Sequence, residues 1–163
     1  MSTPLDSESR IQDDDHLALK LWLRLLTCTN MVEGALRGHL RRRFDSTLPR
    51  FDLLAQLDRH PEKLTMGELS QLMMVSGGNV TGLVRQLEEE GLVSRVPQES
   101  DRRSYQVGLT PRGKRYFDKM AGEHEQWVAQ LFSRLDHGQQ EALMDSLQAL
   151  KQSIGASGAP GAE

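Results

Sequence analysis

Apolar side chains recur at helical spacing along most of this chain. The first run keeps step for about seven turns and predicts a long helix ending near Arg43; its members are Leu17, Leu21, Leu25, Cys28, Val32, Leu36 and Leu40. The acids of Asp13–Asp15 favour the start of this helix. We expect burial on more than one side, as in a helix shared between a core and a dimer partner, because the other faces carry Trp22, Leu26, Met31 and Ala35.

Two shorter helices are predicted from the residues at their ends. The segment Pro49–His60 begins with proline at the first helical position and stops before Pro61. Its inward positions are Phe51, Leu54 and Leu57. The capping box Thr65–Glu68 opens a third helix, which we expect to cover Met66–Met73.

A fourth helix completes a predicted helix-turn-helix. Ser76 is the expected N-cap, after a brief turn at Met74–Val75, and the helix extends to Glu90. One face is apolar and carries Val80, Leu83, Val84 and Leu87. The other face offers the polar or small residues Asn79, Thr81, Gly82 and Arg85.

A two-stranded ribbon follows this helix. Gly91 supplies the left-handed residue that closes a helix, and the strands Leu92–Val93 and Tyr105–Leu109 flank a polar loop. The loop holds Asp101, Arg102 and Arg103. Thr110–Pro111 then starts another helix as N-cap and first helical residue. A ribbon with arginines at its tip, directly after an amphipathic helix, is the layout of a winged helix-turn-helix DNA reader.

Two further amphipathic helices are predicted, from Arg112 to about Leu135 and from Gln139 to Ile154. The expected fold is mainly α with a small β-wing, in the order α1-α2-α3-α4-β-β-α5-α6. The apolar stripes of the terminal helices exceed what a domain with its own central core requires. Dimerisation through these terminal helices is the economical explanation.

The predicted organisation has five parts. Disordered tails are expected at both ends because they are polar or rich in small residues. The boundaries are a tail at 1–13, a dimerisation helix at 14–48, a winged helix-turn-helix lobe at 49–111, C-terminal dimerisation helices at 112–154 and a tail at 155–163.

Charge is unevenly distributed along the chain. The net charge of −3 argues against a nucleic-acid partner. However, residues 91–115 carry six arginines and lysines against two acids, whereas residues 1–15 carry five acids against one arginine. A phosphate-binding face can therefore exist on an acidic protein.

Composition narrows the class further. The 163 residues suffice for one domain, and no apolar run is long enough for a membrane span or a signal peptide, so we expect a cytoplasmic protein without a membrane partner. The single cysteine, Cys28, excludes an internal disulfide. The five histidines show no metal-ligand spacing. An enzyme is disfavoured because no nucleophile-base pair, phosphate loop or carboxylate pair occurs at meaningful spacing.

From residue 14 to residue 154 the chain resembles the MarR family of winged-helix transcriptional regulators. The resemblance rests on the order and spacing of several short motifs. These are Leu69-Ser70, Asn79-Val80-Thr81, Leu87-Glu88, Gly91-Leu92-Val93, Asp101-x-Arg103 and Leu109-Thr110-x-x-Gly113.

The resemblance implies a homodimer, with the first, fifth and sixth helices interleaved, on a pseudo-palindromic operator in double-stranded DNA. Repression is the usual outcome in the family. The resemblance also implies a small-molecule effector, often an aromatic acid, bound between the first, second and fifth helices and the DNA-binding lobe. No cofactor is implied.

On the recognition helix we expect DNA contacts from Ser76, Asn79, Thr81 and Arg85. Asparagine can pair with adenine, arginine with guanine or phosphate, and short hydroxyls with phosphates or base edges. The alternative is that Ser76 is only the N-cap and that Thr81 is merely exposed.

At the wing, Arg103 is expected to enter the minor groove, where a narrow A/T-rich groove attracts a guanidinium. Asp101 would fix its direction through charge-assisted hydrogen bonds, and Arg102 would meet phosphate. The alternative is a solvated charged hairpin.

The candidate effector-binding residues are Arg24 and a basic junction between the first two helices. The junction is formed by Arg37, His39, Arg41, Arg42, Arg43 and Arg50. Arg24 lies beside an apolar stripe and could bind a carboxylate or phosphate, or make an inter-subunit salt bridge, or snorkel. Since one arginine suffices for a carboxylate, the junction suggests an effector with several negative charges. The resemblance implies a candidate, because some MarR relatives that govern aromatic catabolism respond to the coenzyme A thioester of an aromatic acid, and the junction would suit its phosphates. The alternative is solvated surface or contact with flanking DNA phosphates.

Two further choices stay open. Cys28 invites a redox-switch interpretation, but a buried small hydrophobe is favoured over it. A winged-helix module that binds protein without reading DNA is the alternative function, and the basic wing favours DNA over it.

Overall fold

The structure is a computed structural model, and it describes residues 16–74, 79–101 and 103–157. Within this part of the chain lie six helices and three short strands. Their bounds are α1 Leu17–Phe44, α2 Leu48–Arg59, β1 Leu64–Thr65, α3 Met66–Leu72, α4 Val80–Glu89, β2 Val93–Pro97, β3 Tyr105–Leu109, α5 Pro111–Phe132 and α6 His137–Ala156. The predicted mainly α fold with a small wing is confirmed, and β1 is an addition to it.

Side-chain caps define where several helices begin. The Thr47 hydroxyl accepts a hydrogen bond from the backbone N–H of Arg50, so α2 begins one residue before the predicted Pro49. The capping box of α3 is confirmed: Thr65 Oγ1 accepts from the Glu68 N–H at 3.2 Å, and Glu68 Oε2 accepts from the Thr65 N–H at 2.8 Å. These hydrogen bonds from Thr65 lower the pKa of the Glu68 carboxyl.

The start of α4 corrects the prediction. Asn79 is the N-cap, with its Oδ1 accepting from the Gly82 N–H at 3.3 Å, and the helix begins at Val80. The predicted cap, Ser76, lies outside the described residues. A helix that began there would have to include Gly77 and Gly78, each of which costs a helix up to about 1 kcal/mol relative to alanine. Asparagine caps as well as serine does, so the later start is favoured.

The wing belongs to a three-stranded antiparallel sheet with the order β1-β3-β2. The ribbon pairs Val93 with Leu109, and β1 adds the pairs Leu64 with Val107 and Thr65 with Gln106. The sequence prediction missed β1 because two residues are too short for an alternating pattern. Since Thr65 also caps α3, the sheet is joined directly to the helix-turn-helix.

The chain divides into two compact units, the first ending at Glu125 and the second beginning at Gln126. The first contains the helix-turn-helix, the sheet and a core whose fully buried side chains include Leu40, Leu53, Leu54, Leu69, Val84, Leu87, Val107 and Met120. In the second, α6 has no buried residue. None of the helices in the described ranges is both long and apolar enough to span a membrane.

Candidate nucleic-acid interface

The outer face of α4 is polar and exposed. Val84 and Leu87 are buried in the core, which leaves Thr81 and Arg85 exposed on the opposite side, with Asn79 exposed at the N-terminus. The structure therefore brings together three of the four residues of the recognition helix that are predicted to contact DNA. Because the Asn79 Oδ1 is engaged as the cap of α4, its amide nitrogen is the group left to donate to a base or phosphate.

The wing turn is held by Asp101, although not in the way predicted. Asp101 Oδ1 accepts from the backbone N–H of Arg103 at 3.0 Å, and the Asp101 carbonyl accepts from the Ser104 N–H at 2.9 Å. The carboxylate thus shapes the backbone turn instead of pairing with the guanidinium, because its short side chain reaches a neighbouring amide more easily. Arg103 is exposed, and Arg102 lies outside the described residues.

An ion pair that the sequence analysis missed joins the recognition helix to the wing. Arg95 of β2 contacts the Glu88 carboxylate through Nε at 2.9 Å and through Nη2 at 2.7 Å, and its guanidinium lies 5.8 Å from the centre of the Tyr105 ring. The contact spans a helix end and a turn. Opposite charges at 88 and 95, on either side of Gly91, were the available clue.

Two of the predicted effector-binding residues, Arg43 and Arg50, form ion pairs within the chain. Arg43 of α1 binds Glu123 of α5 through two hydrogen bonds, at 2.9 and 3.0 Å, and Arg50 of α2 binds Glu90 in the same manner, at 2.7 and 2.6 Å. These hydrogen bonds hold the pKa values of both glutamates below their usual range. Arg37 also lies 3.5 Å from a carboxylate oxygen of Glu33.

The other predicted effector-binding residues are exposed or partly buried. Arg24, Arg41 and Arg42 are exposed on α1, and His39 is partly buried. The structure therefore separates the basic junction into arginines that hold helices together and arginines that face solvent. The expectation that Arg43 and Arg50 are available to an anion is thereby weakened, because each already has a carboxylate.

Cys28 corrects another expectation. Its side chain is exposed on α1 in the single chain, whereas the sequence analysis favoured a buried cysteine. The residue belongs to the apolar run of α1 that also presents Leu17 at 65% and Leu21 at 59% exposure. Helical spacing alone shows which residues share a face, but it does not show whether the same chain covers that face.

His124 of α5 stacks on Phe51 of α2, with ring centres 4.3 Å apart, and burial lowers the pKa of its imidazole. The folded protein therefore favours the neutral ring, whereas the unfolded chain takes up a proton near the ordinary pKa of 6.5. We expect stability to fall as pH decreases below that value. His124→Phe should reduce this dependence in urea unfolding between about pH 5 and 7.5.

The matched control for this prediction is His137→Gln, because it removes an imidazole whose side chain is 86% exposed at the start of α6. Equal pH dependence in His124→Phe and in the wild type would contradict the prediction.

The sequence comparisons identify transcriptional regulators. Residues 44–104 match the MarR family model. The transcriptional activatory protein BadR of Rhodopseudomonas palustris is 33% identical over 107 residues, which cover 64% of this chain and 61% of BadR, so the match spans less than two thirds of that protein. An uncharacterized HTH-type transcriptional regulator of Bacillus cereus is 26% identical over 134 residues, which cover 82% of this chain and 88% of that protein.

Solved structures share the fold. The crystal structure of a MarR family transcriptional regulator from Silicibacter pomeroyi has a TM-score of 0.76 and 29% identity, covering 88% of this chain and 99% of that chain. Sco3205 of Streptomyces coelicolor, a MarR family transcriptional regulator solved in complex with DNA, has a TM-score of 0.73 and 25% identity, covering 88% of this chain and 91% of that chain. The helix order, the wing and these likenesses lead to one conclusion: over residues 44–104 the chain matches the MarR family, its winged helix-turn-helix fold is that of MarR family transcriptional regulators, and its relatives and fold neighbours are regulators and not enzymes.

Proposed function

We propose that this protein is a homodimeric, sequence-specific DNA-binding repressor that is released from its operator by a small aromatic acid or an aromatic acyl-CoA. The observation that carries the proposal is the exposed polar face of α4 next to a basic wing. Thr81 and Arg85 can reach base edges and phosphates, and Arg103 extends from the wing turn. The DNA complex of Sco3205 supports this use of the fold.

Dimerisation is supported by apolar side chains that the single chain leaves exposed. On α1 they include Leu17, Leu21 and Met31, all more than half exposed. In the second unit, α6 presents Leu143, Met144, Leu147, Leu150 and Ile154, each at least 39% exposed. Stripes of this length are rare on monomers. A second copy of the chain is the occupant we propose, and it would place two recognition helices on the two halves of a pseudo-palindromic site.

The effector class rests on exposed positive charge on α1. Exposed Arg41 and Arg42 offer sites for an anion on α1, and a guanidinium fork matches a carboxylate or phosphate. The name of BadR calls that protein activatory, so activation is the alternative direction of regulation. The effector acts, in this proposal, by favouring a spacing of the recognition helices that does not match the operator.

The test is fluorescence anisotropy with a labelled duplex from upstream of the protein's own gene, at fixed moderate salt. We expect tight binding by two chains per duplex, at least about a thousandfold tighter than to a random duplex. Titration with aromatic acids, and separately with their CoA thioesters, should release the DNA with one of the two classes. A protein that binds both duplexes equally would favour the protein-interaction alternative, and tight operator binding unaffected by either ligand class would remove the effector proposal.

A further inference from the structure

We infer that Arg50 and Asp52 of α2 are positioning residues that hold the helix-turn-helix at two points, one at the end of α4 and one at the end of α3. This inference rests on the proposed DNA-binding function, since it concerns how the recognition helix is presented to DNA. Its basis is a set of contacts that places both anchors within three consecutive residues of one helix.

The first anchor is the pair of Arg50 with Glu90, the C-cap of α4. The guanidinium donates to both carboxylate oxygens, and the Arg50 side chain is 13% exposed while that of Glu90 is 45% exposed. A two-point contact between a planar guanidinium and a carboxylate fixes direction as well as distance. The last turn of the recognition helix is therefore tied to the first turn of α2.

The charges of this pair are unfavourable for their own helices. Arg50 lies in the first turn of α2, where the helix dipole favours an acid, and Glu90 lies at the C-terminal end of α4, where it favours a base. Neither residue stabilises its helix locally. Their placement is explained by the contact that they make with each other across the two helices.

The second anchor is Asp52, which is 7% exposed. Its Oδ2 accepts from the backbone N–H of Met74 at 2.6 Å, and its Oδ1 accepts from Gln56 Nε2 at 3.2 Å. Met74 follows the C-cap residue of α3, so this carboxylate fixes the point at which the chain leaves α3. A buried carboxylate with a backbone donor is costly to remove, because the amide is left without its acceptor.

Phe51, between the two anchors, faces a different helix. Its ring lies 5.5 Å from the ring of Phe117 and 4.3 Å from that of His124, both on α5. The three consecutive side chains thus connect α5 to the C-terminal ends of both helices of the helix-turn-helix. A ligand that shifts α2 against α5 would move the recognition helix with α2, because α2 holds the helix-turn-helix at two points, of which one is the end of α4.

The decisive experiment compares single variants with a charge exchange. We expect Arg50→Gln and Glu90→Gln each to weaken operator binding about tenfold or more. The double variant Arg50→Glu with Glu90→Arg should restore most of the affinity, since the exchanged charges pair again and now suit both helix dipoles. The dependence of log affinity on log salt should stay that of the wild type, because Arg50 does not contact phosphate.

The matched control is Glu123→Gln, which removes the two-point pair of Glu123 with Arg43 between α5 and α1 without touching α4. It should leave operator affinity within about twofold. For the second anchor, Asp52→Ala should weaken binding and Asp58→Ala, on the same helix and paired with Lys114, should not. Circular dichroism verifies that each variant is folded.

A readout without DNA makes the inference independent of the operator. Arg50→Gln should accelerate amide hydrogen exchange in the last turn of α4 relative to Glu123→Gln. Faster exchange combined with a wild type that binds no operator would refute the proposed function and leave the anchor in place. Unchanged hydrogen exchange and operator affinity in Arg50→Gln would overturn the inference. It would also be overturned if Arg50→Gln lowered the slope of log affinity against log salt by about one per subunit and the charge exchange restored no affinity, because that result marks a direct contact of Arg50 with phosphate.

Discussion

Replacing Arg103 by alanine should weaken operator binding by about 1–3 kcal/mol for each subunit, which amounts to loss of tight binding by a dimer. The side chain is exposed at the wing turn, whose backbone is set by the hydrogen bond from the Arg103 N–H to Asp101 Oδ1. That hydrogen bond uses backbone of residue 103, so alanine keeps the turn and removes only the guanidinium. Anisotropy with the operator duplex at fixed salt measures the loss.

Two further variants show whether the loss of affinity comes from removing a positive charge or from removing the guanidinium at the wing. Arg37→Ala removes the same charge from α1, where Arg37 lies near Glu33, and should leave operator affinity close to that of the wild type. Arg103→Lys keeps the charge without the planar fork, so it should recover the salt dependence but not the full affinity. Wild-type affinity in Arg103→Ala would remove the wing from the DNA interface.

Replacing Gly113 by alanine should destabilise the fold by about 3 kcal/mol. An added Cβ would overlap the Leu92 carbonyl oxygen and lie 2.8 Å from its carbon, both of which are backbone atoms that cannot rotate away. The close approach is held by Thr110, whose Oγ1 donates to the Gly91 carbonyl at 2.6 Å and accepts from the Gly113 N–H at 3.0 Å. Alanine would push the start of α5 away from the turn between α4 and β2.

The control for this prediction lies in the same helix. Gly122 has nothing within 4 Å of an added Cβ, so Gly122→Ala should stabilise the protein by up to about 1 kcal/mol through helix propensity. Urea unfolding of both variants beside the wild type gives the two free energies. Equal effects at 113 and 122 would show that the turn does not pack against α5 as described.

The order of the elements was predictable because local chemistry marks their ends. Proline at the start of α2 and of α5, and the capping box at Thr65 and Glu68, act within a few residues and do not depend on the rest of the chain. The start of α4 was less certain from sequence because Ser76 and Asn79 are both good caps. The strand β1 consists of two residues that become a strand only because β3 lies beside them.

The role of each arginine was harder to predict. Asn79, Thr81, Arg85 and Arg103 lie on exposed surfaces, as their helix and turn positions indicate. Arg50 pairs with Glu90, 40 residues away in sequence, and Arg43 pairs with Glu123, 80 residues away. Helical periodicity carries no information over such separations. A cluster of basic residues in sequence was therefore divided by the fold into structural ion pairs and solvent-facing cations.

The strand β1 also limits which parts of this chain can be transplanted between relatives. Thr65 ends β1, pairs with Gln106 of β3 and caps α3, while Gly108 leaves room for Lys63, whose Cγ would lie 2.9 Å from an added Cβ. A chimera that exchanged the β2–β3 hairpin alone would place side chains of another protein against Thr65 and Lys63. An operator preference that resides in the wing can therefore be transferred only together with the helix-turn-helix, as one segment from Lys63 to Thr110.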